Sequence, residues 1–134
     1  MQTQAEFRSD AIEYQGAKAV ILDSKTTYTL TSPKAAYSKS YCKTLIRNEY
    51  GNDLGAFFCA TDMYSDLDDF EGRLYDKFGR LVQKIRYSDL AHHASDANLA
   101  SDVKYWSFVP SYPNYPYTIE YEWGIKYRKG ILFL

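Results

Sequence analysis

The last part of the chain alternates strictly between two kinds of side chain. From Tyr117 to Tyr127 every second residue is large and apolar, and the residues between them are polar or glycine. The apolar set is Tyr117, Ile119, Tyr121, Trp123, Ile125 and Tyr127. Successive side chains of a strand point to opposite faces. The pattern therefore predicts a strand with one buried and one solvated face, and the buried face needs a second layer of structure to cover it.

The chain from Ala17 onwards has the composition pattern of an all-β protein. Runs of β-branched and aromatic residues are separated by turn signals at short intervals. The further predicted strands are 19–22, 26–31, 35–47, 54–63 and 104–109, with a bend at Asp23-Ser24. The total of eight or nine strands, with few helical signals, predicts an antiparallel β-sandwich with little helix. Residues 87–102 are expected to form a loop.

One segment, residues 65–78, fits two structures. Its apolar residues recur at steps of three and four, which is typical of a helix; they are Leu67, Phe70, Leu74 and Phe78. However, Gly72 lies in the middle, and residues 76–79, Asp-Lys-Phe-Gly, have the pattern of a type I turn. We favour a hairpin of residues 69–75 with residues 80–86 over a helix.

Length and charge exclude several classes of protein. The chain has 134 residues, and 16 Lys and Arg against 17 Asp and Glu give a net charge of −1, which does not suit a basic nucleic-acid binder. No run of residues is apolar and long enough for a membrane span. We expect residues 1–16 to be a polar leader, either a short helix near residues 9–14 or disordered. Residues 17–134 are expected to form a single β-sandwich domain.

The two cysteines, Cys42 and Cys59, lack the spacing of a metal site. In a hairpin around residues 48–53 they would face each other across the ladder. They are then either two small buried apolar side chains or, in an oxidising compartment, a disulfide. A buried thiol is a poor nucleophile because burial raises its pKa.

Other candidate chemical groups carry equally weak signals. His92 and His93 are adjacent, so on a strand they would point to opposite faces and chelate a metal poorly. In the acidic stretch of residues 66–71, Glu71 stands where a calcium-binding EF-hand loop has its glycine, which favours a solvated turn. The sequence therefore predicts no catalytic residue, no metal site and no cofactor.

Aromatic residues give the one positive indication of binding. The chain has 14 tyrosines, and Tyr112 and Tyr115 stand between prolines in a segment expected to be a rigid, extended loop. Rings with a polar tip suit sugar faces and peptide backbones. Tyr112, Tyr115 and Trp106 are therefore candidate residues for binding a glycan or a peptide.

Three stretches resemble a known family. They are residues 74–85 (LYDKFGRLVQKI), 115–123 (YPYTIEYEW) and 48–52 (NEYGN). The family is an N-terminal domain of unknown function that precedes transglutaminase-like domains in exported bacterial proteins. The resemblance implies a β-sandwich, a periplasmic or otherwise exported parent protein, and a downstream domain of the same polypeptide as partner. It places the Cys-His-Asp machinery in that downstream domain and none on this chain.

The end of the sequence agrees with this resemblance. Residues 130–134, Gly-Ile-Leu-Phe-Leu, are an apolar run with no polar exit, whereas chain ends are usually solvated. We therefore expect a domain cut from a longer protein, with its signal peptide outside this sequence. The expected function is a non-catalytic accessory or interaction module; the alternative is a carbohydrate- or peptide-binding module that uses the loop aromatics.

Overall fold

The computed structural model describes the backbone of residues 3–9, and residues 17–94 and 103–128 completely. These residues form nine strands and two 3-10 helices. The strands are β1 Thr3–Ser9, β2 Ala19–Ser32, β3 Ala35–Ile46, β4 Phe57–Thr61, β5 Ser65–Tyr75, β6 Leu81–Arg86, β7 Ala91–Ala94, β8 Lys104–Phe108 and β9 Tyr117–Tyr127. The 3-10 helices are Glu49–Gly55 and Tyr87–Asp89.

The strands form two sheets of unequal size. The large sheet has six strands in the order β1-β2-β3-β9-β5-β6, and the small sheet has three in the order β4-β8-β7. Every neighbouring pair is antiparallel. The prediction of an all-β antiparallel sandwich with little helix is confirmed.

The buried face of β9 lies at the centre of the core. Tyr117, Ile119 and Tyr121 have at most 4% of their surface exposed, and the residues between them are less buried. Phe57 and Trp106 belong to the same core cluster and come from the small sheet. Burial of each such side chain stabilises the fold by about 1.5–3 kcal/mol. The predicted strand with one buried face is therefore confirmed.

The hairpin of β5 and β6 is also confirmed, and the helical alternative for residues 65–78 is wrong. The turn between the strands closes where Gly79 N–H donates to the carbonyl of Asp76 at 3.0 Å. The Asp76 carboxylate accepts from the backbone N–H groups of Phe78 and Arg80, both at 2.9 Å. Gly79 has a φ of +80°, which glycine adopts at little cost.

The N-terminal boundary at residue 17 is wrong. β1 pairs with β2 from Thr3↔Leu30 to Ser9↔Ser24, so residues 3–9 belong to the large sheet rather than to a leader. Its sequence, TQAEFRS, is largely polar, and β1 is the edge strand of the sheet. The helix expected near residues 9–14 falls, apart from Ser9, outside the described residues.

Two further strand predictions need correction. Residues 19–22 and 26–31 are one strand, β2, which passes the expected bend with a register shift between Ile21 and Asp23. The expected loop of residues 87–102 contains β7, which pairs with β8. Its sequence, Ala-His-His-Ala, has low β propensity, so pairing with β8 rather than intrinsic preference fixes its conformation.

The predicted hairpin of the two cysteines is wrong. Residues 49–55 form a 3-10 helix that carries the chain from the large sheet to the small one. A Cβ atom on Gly51 would lie 2.3 Å from the carbonyl oxygen of Lys18, so only glycine allows this close approach. Cys42 is paired with Tyr121 in one sheet, and Cys59 with Trp106 in the other. Both thiols are free.

Candidate functional site

Tyr112 and Tyr115 lie in the proline-rich segment before β9 and pack on the ring of Tyr117. The ring centroids of Tyr112 and Tyr117 are 5.9 Å apart in an edge-on arrangement, and those of Tyr115 and Tyr117 are 5.5 Å apart. The Tyr115 hydroxyl accepts from Asn52 Nδ2 at 3.1 Å, and Tyr117 donates its hydroxyl to Asn52 Oδ1. Burial, together with the neighbouring Tyr115, raises the pKa of Tyr117 to about 12. Both predicted tyrosines are half-buried and partly used in packing.

Trp106, the third predicted binding residue, lies on the inner face of the small sheet. Its side chain is 4% exposed and belongs to the core. Its ring stacks on the imidazole of His92, with centroids 4.9 Å apart and an angle of 27° between the planes. The three predicted residues therefore do not form one exposed platform. A ligand contact by Tyr112 and Tyr115 stays a prediction.

A cleft of about 580 Å³ opens beside Trp106. Its walls come from the first half of β5, the end of β9, and β7 and β8 of the small sheet. Its charged lining residues are Asp66, Asp68, Lys104, Lys126 and Arg128. Its ring-bearing lining residues are Tyr87, His92 and Trp106. Of these lining residues only Trp106 was a predicted binding residue. The others could not be grouped from the sequence, because they are distant in the chain and only the topology brings them together.

Ion pairs link the charged groups of the cleft. Asp66 Oδ1 accepts from Lys104 Nζ at 3.2 Å, and Asp66 Oδ2 accepts from Arg128 Nη1 at 2.6 Å. The hydrogen bond from Arg128 lowers the pKa of Asp66, and Lys104 adds to this effect against the opposing effect of burial. Asp68 and Lys126 pair at 3.2 Å.

The acidic stretch of residues 66–71 is thus largely paired with basic side chains. Asp69 lies 3.4 Å from Lys39, and Glu71 pairs with Arg73. Among residues 17–94 and 103–128, no group of three His, Cys, Asp or Glu side chains is placed to hold a metal ion. His92 and His93 are both exposed on β7, and only His92 lines the cleft.

A second polar cluster lies on the outer face of the large sheet, around Glu120. Its carboxylate accepts from Arg73 Nε at 2.5 Å, from the Tyr75 hydroxyl at 3.0 Å and from the Tyr41 hydroxyl at 2.5 Å. Burial alone would raise the pKa of Glu120, but the hydrogen bonds from these three residues outweigh burial and lower it. Arg73 also donates to Glu122 at 2.5 Å. The saturated hydrogen bonding of Glu120 points to a structural role.

Neither cysteine has the surroundings of a nucleophile. Burial raises the pKa of the Cys42 thiol, and a weak hydrogen bond with Thr44 only partly opposes this effect. Burial likewise raises the pKa of the Cys59 thiol. A nucleophilic cysteine needs a lowered thiol pKa, usually from a neighbouring cation or base.

Comparisons with known proteins identify a shared fold. No protein family model matches the chain, and no curated protein matches it. The solved structure of a "putative protease" from Parabacteroides distasonis ATCC 8503 is similar, with a TM-score of 0.60 and 16% sequence identity. The match covers 72% of this chain and 20% of that protein, so it takes in about a fifth of that protein's length. At this identity the similarity shows the fold alone.

The described residues contain no helix with the length and apolar character of a membrane span.

Proposed function

We propose that the chain is a non-catalytic β-sandwich module that accompanies a catalytic domain in a larger protein. The observation that carries this proposal is the unequal coverage of the structural match, which includes 72% of this chain and 20% of a much longer protein. A fold that recurs as a fraction of a longer polypeptide is suited to positioning or regulating its neighbours. Fold alone does not establish function, so the chemistry of the side chains must also agree.

The described side chains agree with a non-catalytic role. The thiols of Cys42 and Cys59 have raised pKa values because they are buried. The most strongly bonded carboxylate, Glu120, is occupied by three donors from its own sheet. Catalytic acids and bases need a pKa near the working pH and a free position for substrate, and Glu120 has neither.

The resemblance of residues 74–85 and 115–123 to the domain that precedes transglutaminase-like enzymes makes this proposal more specific. On that basis, the partner is a transglutaminase-like domain downstream in the same polypeptide, and the parent protein is exported, with a periplasmic location in bacteria. The similar protein from Parabacteroides distasonis is described as a "putative protease". Both indications fit a catalytic partner domain that acts on amide bonds.

Two experiments test the proposal. The first is to read the gene downstream of residue 134, where we expect a domain that contains Cys, His and Asp residues at the spacing of a transglutaminase-like enzyme. The second is to assay residues 1–134 for amide hydrolysis and for acyl transfer to an amine. We expect neither activity above the background of buffer alone. An activity that is lost in Cys42→Ser or Cys59→Ser would overturn the proposal, and so would a downstream sequence without those residues.

A further inference from the structure

We propose that the cleft beside Trp106 binds an organic carboxylate that carries a ring. The carboxylate is held by Lys104 and Arg128, and the ring lies on the imidazole of His92. This inference goes beyond the accessory role and does not depend on it. It rests on the hydrogen-bonding capacity of the cleft, on the geometry of its ring-bearing wall and on its size.

The hydrogen-bonding capacity of the cleft favours an anion. An ammonium group has three donors and a guanidinium group has five, whereas a carboxylate only accepts. Asp66 uses both oxygens, one for Lys104 and one for Arg128. Arg128 also donates from Nη2 to the carbonyl of Met63 at 3.2 Å. Both cations still have more N–H groups than these contacts use, and their side chains are 38% and 55% exposed.

The formal charge of the cleft favours the same class of ligand. Lys104, Lys126 and Arg128 carry three positive charges, and Asp66 and Asp68 carry two negative charges. With neutral histidine the lining has a net charge of +1. A carboxylate would neutralise this charge and could accept charge-assisted hydrogen bonds from Lys104 and Arg128.

The part of the cleft that β7, β8 and the 3-10 helix before β7 form is suited to a ring. The imidazole of His92 stacks on the indole of the buried Trp106, whereas His92 itself is exposed. Tyr87, which also lines the cleft, is 44% exposed. Flat rings of this kind pack on the apolar face of a sugar or on an aromatic ring. Because Trp106 is fixed in the core, His92 is positioned before a ligand arrives.

The size of the cleft fits a small molecule. Its volume of about 580 Å³ lies within the roughly 300–1,000 Å³ that is typical of small-molecule sites. A single hexuronate or an aromatic carboxylate would fill only part of it. We therefore expect millimolar affinity for a one-ring probe, with room for a larger ligand.

The test is a titration of the whole 134-residue chain with small ligands, monitored by two-dimensional ¹H–¹⁵N NMR spectra. Trp106 and Trp123 each give a separate indole N–H signal, so Trp106 reports on the cleft and Trp123 serves as an internal reference. The probes are D-galacturonate and benzoate, with galactose and benzamide as their neutral counterparts. We expect the Trp106 signal to shift with at least one carboxylate and to stay unchanged with both neutral compounds. The carboxylate that binds more tightly identifies the ring as a sugar or as an aromatic group.

Three variants and a control locate the binding. Lys104→Gln and Arg128→Gln should each weaken carboxylate binding by about fivefold, the effect of one partly exposed charge pair. His92→Ala should weaken binding of the ring-bearing carboxylate but leave the weaker binding of acetate unchanged. Lys39→Gln, which removes an exposed lysine paired with Asp69 outside the cleft, should bind like the wild type. Thermal unfolding of each variant checks that it is folded.

Three results would overturn the inference. The first is that the Trp106 signal does not shift with either carboxylate at concentrations up to about 50 mM, far above the expected millimolar dissociation constant. The second is equal binding of a carboxylate and its neutral counterpart. The third is unchanged affinity in both Lys104→Gln and Arg128→Gln, provided that both variants are folded.

Discussion

Replacing Glu120 with Gln tests how the outer face of the large sheet is held together. The substitution keeps the shape of the side chain but removes its charge, and it replaces one acceptor oxygen with an NH₂ donor. Arg73, whose side chain is 15% exposed, then loses its most buried partner, since the Glu120 side chain is 12% exposed. Arg73 and Tyr75 both donate to Oε1 of Glu120 and Tyr41 donates to Oε2, so the single oxygen of Gln can no longer serve all three donors.

The structure sets the size of the effect. A hydrogen bond to a charged group contributes about 1.5–3 kcal/mol, and a donor left unpaired in a partly buried position costs a similar amount. Arg73 keeps its contacts with Glu122 and Glu71, so it is not left wholly uncompensated. We therefore expect Glu120→Gln to lower the free energy of unfolding at pH 7 by about 2 kcal/mol.

The assay is urea unfolding followed by tryptophan fluorescence, with Glu122→Gln as a matched control. Glu122 accepts from the same guanidinium, but its side chain is 37% exposed. Water screens such a pair, so the control should lose at most about 1 kcal/mol. The midpoint should shift without a change in the slope m, because the surface exposed on unfolding is the same.

Acid provides an independent check. The pKa of Glu120 is lower in the folded protein than in the unfolded chain. Its stabilising contribution is therefore complete above the unfolded-state pKa and is lost as the pH falls through the folded-state pKa. The difference between wild type and Glu120→Gln should shrink between pH 7 and pH 3. Equal losses for the two variants at pH 7, or a Glu120→Gln difference that does not change with pH, would refute this reasoning.

Three further predictions concern single residues. Tyr121→Phe removes the donor to the Gly55 carbonyl, a buried bond of 2.6 Å, and should cost about 1–3 kcal/mol in urea unfolding; no loss would mean that the carbonyl finds another donor. Gly79→Ala should cost about 1 kcal/mol because of its positive φ, and Gly79→Asn should cost less in the same thermal unfolding assay. Burial raises the pKa of the Cys42 and Cys59 thiols, so iodoacetamide at pH 7.5 should label the folded protein about tenfold more slowly than the unfolded one, as measured by mass spectrometry. Equal labelling rates would contradict this account.

The parts of the fold that were predictable from the sequence are those where a local pattern and the tertiary structure agree. The alternation in β9 is visible because the strand is paired on both sides and its first half, from Tyr117 to Tyr121, has one buried face. The β5–β6 hairpin is visible because residues 76–79 provide both the aspartate and the glycine that the turn requires. In both cases a few adjacent residues determine the conformation.

The errors occur where distant residues decide the structure. β7 is a strand because β8 lies beside it, not because Ala-His-His-Ala favours a strand. The predicted hairpin that would pair Cys42 with Cys59 is wrong because Gly51 packs against Lys18 and the 3-10 helix directs the chain into the other sheet.

The candidate site shows the same limit. Alternation within β8 could have predicted that Trp106 is buried and Tyr105 is exposed, since their exposed fractions are 4% and 38%. No local signal could have joined Lys104 to Asp66 and Arg128. Lys104 lies on β8, Asp66 lies on β5, and Arg128 directly follows β9. Only the topology makes these three residues neighbours.

The central position of β9 has a consequence for biosynthesis. Strands β1 to β3 and the β5–β6 hairpin can each pair as soon as a ribosome has made them, but β3 and β5 meet only through β9. The two halves of the large sheet therefore stay separate, with open edges that can pair with other chains, until residue 127 has left the exit tunnel. Translation that pauses before residue 117 would prolong this vulnerable interval.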